Sequence, residues 1–155
     1  MTGPCPDDRQ TVSLAFANTP DDGYADATEA TAALRTWLVQ QELVREDVEV
    51  SGSELARFVR LREAIRGILV ARVGEVAPDG SAVRIVEAAA LAAPGAPIGV
   101  WAADGAVTRG WRPTGGDPLD RAAAALAADV VDVVCDHGAR LGDGDGDARF
   151  VLTPA

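Results

Sequence analysis

Two arginines one helical turn apart, Arg62 and Arg66, are the residues of this chain best placed to do chemistry. At helical spacing they fall on one flank of an apolar arc made by Leu55, Phe58, Leu61, Ile65, Ile68, Leu69 and Val73. A guanidinium turned towards a core is costly if left unpaired. It must meet a carboxylate, backbone carbonyls or an anionic ligand. The first two outcomes are structural, as is an aliphatic stem that runs past apolar neighbours with its charge at the edge. The third is an anion-binding site. The surrounding stretch is locally basic: Arg57, Arg60, Arg62, Arg66 and Arg72 stand against Glu54 and Glu63, in a chain whose net charge is −10.

Other residues offer weaker chemistry. The Asn18 amide can tie a loop to a helix end, or contact a ligand. Trp37, Trp101 and Trp111 pack a core or a hairpin, or line an apolar pocket with Arg109 or Arg112 at its rim. His137 projects onto the apolar face at the end of the last helix. There it favours the helix dipole or binds a carbonyl; general acid or base work is the sharper alternative. Cys135 lies off that face with nothing basic beside it in sequence, and reads as an inert thiol. Asp143, Asp145 and Asp147 have the spacing of a calcium loop. Ala148 stands where such a loop needs glycine and Pro154 where it needs the bidentate glutamate, so an EF-hand is rejected.

Composition narrows the classes further. The 155 residues are 48% hydrophobic and 25% charged, which suits one folded domain with one core. Basic charge is carried wholly by arginine among abundant Ala, Gly and Asp, the composition of a GC-rich bacterial genome. An excess of 24 acidic over 14 basic residues disfavours direct binding of nucleic acid, which needs a basic surface. Two cysteines and one histidine cannot build a Cys/His zinc site, so neither metal nor cofactor is expected. Cys5 and Cys135 are far apart in sequence, and no disulfide is expected between them. The N-terminus lacks the basic and apolar regions of a signal peptide, and no apolar run is long enough for a membrane span. The expected compartment is the cytoplasm.

The elements that must hold these residues follow from caps and periodicity. Residues 1–10 read as a flexible tail. Residues 11–19 (TVSLAFANT) mix β-branched and apolar residues before the turn signal at 20–23, and read as a short strand or extended segment. Asp26 with Glu29 starts a first helix, with Ala30, Leu34, Trp37, Leu38 and Gln41 on one face. The run 51–54 (SGSE) caps a second, longest helix over about 53–73, with Gly67 a weak point inside it. A third helix covers about 81–91. Asp104-Gly105 between two strand-like runs, 98–102 and 106–111, signals a β-hairpin. Pro118 opens a last helix to about residue 137, with Leu119, Ala123, Leu126, Val130, Val133 and Val134 on one face and Gly138 as its stop. After an Asp/Gly-rich run, residues 150–152 form a possible short strand. The expected fold is α+β and mostly helical: about four helices, a β-hairpin and one or two short extra strands, in one domain over 11–141 with a tail over 142–155.

This order of elements resembles the ABATE domain, the N-terminal domain of CGNR zinc-finger proteins, described as stress-induced transcription regulators. Residues 14–19 (LAFANT) are similar to the family's opening L-D-F-x-N-T segment. Residues 34–43 (LRTWLVQQEL) resemble its L-x-x-W-L helix, and 61–66 (LREAIR) its L-R-E-A-L-R helix. Gly110-Trp111 ahead of Asp117-Pro118-Leu119 resembles its junction between strand and last helix. The resemblance spans about residues 11–141. The family continues into a zinc-binding module that ends in C-G-N-R and is presumed to bind DNA. Residues 142–155 contain no cysteine, so that role does not carry over, and a finger-less member is expected.

Two functions of different class follow. The first is a non-enzymatic regulatory domain that binds a small molecule, anionic if Arg62 and Arg66 meet it, or a protein partner. The alternative is a small cofactor-free biosynthetic enzyme that uses the same scaffold as a substrate pocket, with Arg62, Arg66 or His137 as its polar handles. A structural homodimerisation module is a third, weaker reading.

Overall fold

The computed structural model describes residues 11–20, 24, 26–136, 141–142 and 150–151. Among them are five helices: α1 Val12–Ala17, α2 Ala27–Gln40, α3 Gly52–Val73, α4 Gly80–Ala92 and α5 Pro118–Asp136. A hairpin of β1 Gly95–Trp101 and β2 Val107–Pro113 lies between α4 and α5. The strands β3 Leu141–Gly142 and β4 Phe150–Val151 pair in parallel. The fold is α+β and mostly helical, as expected.

Local signals set most helix starts. The Asp26 carboxylate accepts the Glu29 N–H at 2.9 Å and caps α2. The Ser51 hydroxyl accepts the Glu54 N–H at 3.2 Å and caps α3. Asp79 does the same for α4 through the Ser81 N–H, and Asp117 accepts the Asp120 N–H ahead of Pro118 in α5. In the hairpin turn, Gly105 takes φ +87° while Asp104 does not need a positive φ; its carboxylate accepts the Ala106 N–H instead. Both strands run longer than their sequence pattern, in register from Gly95 opposite Pro113 to Trp101 opposite Val107.

The segment over 11–19 corrects the sequence reading, because it is a helix and not a strand. Ser13, Leu14, Phe16 and Ala17 are its buried residues, a helical i, i+1, i+3, i+4 set. A lone strand here would need a sheet partner for its backbone, whereas a helical turn bonds within itself. The Ser13 N–H, which has no acceptor inside the helix, is met by the Asp129 carboxylate of α5 at 2.8 Å.

The core is centred on α3 and α5. Phe58, Leu61, Ala64, Ile65 and Leu69 of α3 face Leu126, Val130 and Val133 of α5, with Leu14 and Phe16 of α1 and Val86 of α4 closing the sides. α5 is alanine-rich on this face, and Ala122, Ala123 and Ala127 are nearly solvent-free. Small side chains let neighbouring helices approach closely, which holds α1 and α4 against it. On α2 only Leu38 is buried; Leu34 and Trp37 are half-covered. The apolar face of α2 is thus not wholly spent on the core.

Candidate functional site

The uncovered part of that face borders a cleft of about 400 Å³. Ala30, Ala33, Leu34 and Trp37 of α2 form one wall, and Leu55, Phe58, Val59 and Arg62 of α3 the other. Each set recurs every three or four residues, so each is one stripe of its helix. Phe16 and Thr19, at the exit of α1, close the space between them. The two alanines opposite α3 leave the volume that larger residues would fill.

The walls are aromatic. The Phe16 and Trp37 rings lie 5.1 Å apart, tilted by 37°. Phe16 meets Phe58 edge-on at 6.3 Å. Polar groups sit sparsely at the margin, on Thr19, Tyr24, Thr36 and Gln40. Arg62 is the one charged side chain among the described lining residues.

Arg62 and Arg66 both reach the exit of α1. Arg66 Nη1 donates to the Ala17 carbonyl at 2.9 Å. Arg62 Nη1 donates over longer distances to the Thr19 hydroxyl (3.5 Å) and the Pro20 carbonyl (3.3 Å). Thr19 in turn donates to the Phe16 carbonyl at 2.7 Å. The two cations therefore hold the carbonyl end of α1, where positive charge is favoured. The Arg62 side chain is only 13% exposed, and its Nε lies 3.7 Å from the half-exposed Glu63 carboxylate. Burial pushes the Arg62 pKa below the ordinary guanidinium value; Glu63 opposes this and Arg66 adds to it. The cleft wall thus carries a partly desolvated positive charge.

The other candidate residues are dispersed. Asn18 is the C-cap residue of α1, and its N–H donates to the Leu14 carbonyl. Trp101 stands on β1 at 73% exposure, outside the lining of the cleft that holds Trp37. Trp111 lies opposite Pro97 in the hairpin register. His137 and Cys5 lie outside the described residues. Cys135 is a free, exposed thiol. Among the described residues no group of three or more His, Cys, Asp or Glu is gathered in a way that could hold a metal ion, and no helix is long and apolar enough to cross a membrane.

Thr19, Leu55, Phe58 and Val59 complete the site without having been singled out as site residues by the sequence. Phe58 has the spacing of a core residue and is one, yet its ring also forms part of the cleft. One sequence signal did exist: the paired small residues Ala30 and Ala33 on an apolar face, one turn before Trp37.

Fold and cleft together define a small helical α+β domain with an aromatic pocket and one cation in its wall. The family model of ABATE, described as "Putative stress-induced transcription regulator", matches residues 10–137, and the chain belongs to that family. Membership supports a regulatory role for the domain. No curated protein and no solved structure matches the chain.

Proposed function

We propose that this chain is a regulatory domain that binds a small anionic ligand in the cleft between α1, α2 and α3. The observation that carries the reading is the placement of Arg62, a largely buried cation, in a wall otherwise built from aromatic and aliphatic side chains. A concave, mostly apolar site with a few convergent polar groups is the usual form of a small-molecule pocket. The cleft joins α1 to α2 and α3, so an occupant would touch three elements at once. An occupant that bound one arrangement of these elements better than another would shift their equilibrium, which is how a regulatory input acts.

The test uses 1-anilinonaphthalene-8-sulfonate, an apolar monoanion, with the folded protein. Saturable one-to-one binding is expected, with a rise in melting temperature. Ala33→Phe fills the cleft from α2 and is expected to abolish binding while helical circular dichroism is retained. Absence of saturable binding, or binding indifferent to Ala33→Phe, would overturn the reading. Native mass spectrometry of freshly purified protein would reveal a retained ligand directly.

Contact with nucleic acid is not part of this proposal, given the net charge of −10. Titration with duplex DNA across a salt series should give no specific complex. A steep salt dependence of binding would contradict that expectation.

A further inference from the structure

We propose that the β1–β2 hairpin is a docking arm that takes an acidic, extended peptide as a third strand along the outer edge of β2. No residue of the arm lines the cleft, so either reading can fail without the other.

The arm is rooted but uncovered. At its base the Thr114 N–H and hydroxyl both donate to the Pro94 carbonyl, at 2.7 and 2.8 Å. Beyond that base none of its described apolar side chains joins the core. Among the described residues its sheet has two strands only. A two-stranded hairpin is marginal in water and gains from a third strand. Trp101 is 73% exposed, and Val100 and Val107 are half-exposed. The Trp101 indole lies against Gly99 and beside Val107, since a Cβ at Gly99 would stand 3.4 Å from Trp101 Nε1 and from Val107 Cγ1.

The register decides which edge is open. The Ala102 N–H donates to the Ala106 carbonyl, and the Thr114 N–H to Pro94, so the hydrogen-bonded pairs of the ladder are those of even number. Residues of odd number turn their N–H and C=O outward. On β1 the middle of that row is Pro97, which has no N–H to offer a partner. On β2, Val107, Arg109 and Trp111 present outward donor–acceptor pairs in succession, and the row ends at Pro113. Strand addition is thus open along β2 and interrupted along β1.

Charge selects the occupant. The two strands hold no acidic residue, and the arm carries Arg109 and Arg112 against Asp104 in its turn. Both arginines are exposed, and neither has an ion pair among the described residues. A second copy of β2 laid on the first would gather four arginines on one small sheet. An acidic strand instead sets a carboxylate against each. Opposite charges paired across strands stabilise and like charges destabilise. At 0.1 M salt, charges more than about 10 Å away are largely screened, so the arginines beside the added strand act on it more strongly than distant acidic residues.

The probe is the capped peptide Ac-ETVETV-NH2. Paired antiparallel, it sets one glutamate opposite Arg112, the other opposite Arg109 and its last valine opposite Val107. The control is Ac-KTVKTV-NH2. Binding to the full, nitrogen-15-labelled chain is followed by amide shifts and hydrogen exchange. The glutamate peptide is expected to slow exchange at Val107, Arg109 and Trp111, while Thr108, Gly110 and Arg112 are protected before and after. It should bind at least about fivefold more tightly than the lysine peptide. Arg109→Glu/Arg112→Glu, on an exposed strand, should reverse that order. Methylating the backbone nitrogen of the peptide's fourth residue, which faces Arg109, should abolish binding. Methylating the third, which faces away, should not.

Equal binding of the two peptides overturns the acidic class. Unchanged exchange at residues 107, 109 and 111 with the glutamate peptide overturns the docking edge. A dimer in sedimentation, with those three amides already protected in the free protein, overturns the occupant in favour of a second copy.

Discussion

The Asp129 carboxylate accepts the backbone N–H of Ser13 across 116 residues of sequence, at 2.8 Å. One side chain of α5 thereby fixes the start of α1, whose other end supplies Phe16 and Thr19 to the cleft. Asp129→Ala is expected to cost about 1.5–3 kcal/mol, the range for a hydrogen bond to a charged group. Asp129→Asn should recover part of this, since its amide oxygen still accepts. Urea unfolding midpoints of the three proteins check the order.

The Ser13 side chain behaves differently from its backbone. It is fully buried, and its hydroxyl has no hydrogen-bond partner among the described residues. Ser13→Ala removes an unsatisfied polar atom and keeps the N–H bond to Asp129. It should leave stability unchanged or raise it by about 1 kcal/mol. A fall in melting temperature would contradict this account.

Arg66 and Arg62 should separate on mutation. Arg66→Met removes the donor to the Ala17 carbonyl and is expected to lose about 1–2 kcal/mol of stability. Arg62→Met removes longer bonds and a 3.7 Å pairing with the half-exposed Glu63, against which it also relieves the cost of burying a guanidinium, and should lose less. Thermal unfolding of each variant without ligand measures the difference.

Gly67 lies in the interior of α3 on its exposed side, and a Cβ there would meet nothing within 4 Å. Gly67→Ala should stabilise the protein by about 0.5–1 kcal/mol by removing backbone freedom from the unfolded chain. Chemical denaturation with an unchanged slope is the readout.

Asp79 carries a pH prediction. Its hydrogen bonds from the Ser81 side chain and the Ser81 N–H hold its pKa below the ordinary carboxylate value. A depressed native pKa means that the unfolded chain takes up the proton first as pH falls. The stabilising contribution is therefore complete above about pH 4 and fades as pH drops through the native value. The stability difference between wild type and Asp79→Asn should be constant from pH 7 to 5 and shrink towards pH 2. Urea midpoints across that range give the comparison.

What the sequence determined by itself is the set of features that act over a few residues. The Asp26, Ser51 and Asp79 caps and the Asp104-Gly105 turn are all local, and each is legible because donor and acceptor lie within three positions of one another. The stripes of α3 and α5 are equally legible, because one helical period repeats through them. The sequence also placed Arg62 and Arg66 together on the flank of α3, although not what they would meet.

Only the tertiary structure decided the rest. Residues 11–19 carry a pattern that fits a strand, and Val12–Ala17 become helical because α5 offers Asp129 to the Ser13 N–H in the first turn and an alanine-lined face to pack on. Trp37 and Leu38 are adjacent and equally apolar, yet one borders a cleft and the other is buried. Helical period fixes which way a side chain points but not what stands opposite. For Arg62 that is Thr19, 43 positions away, brought within reach only by the docking of α1.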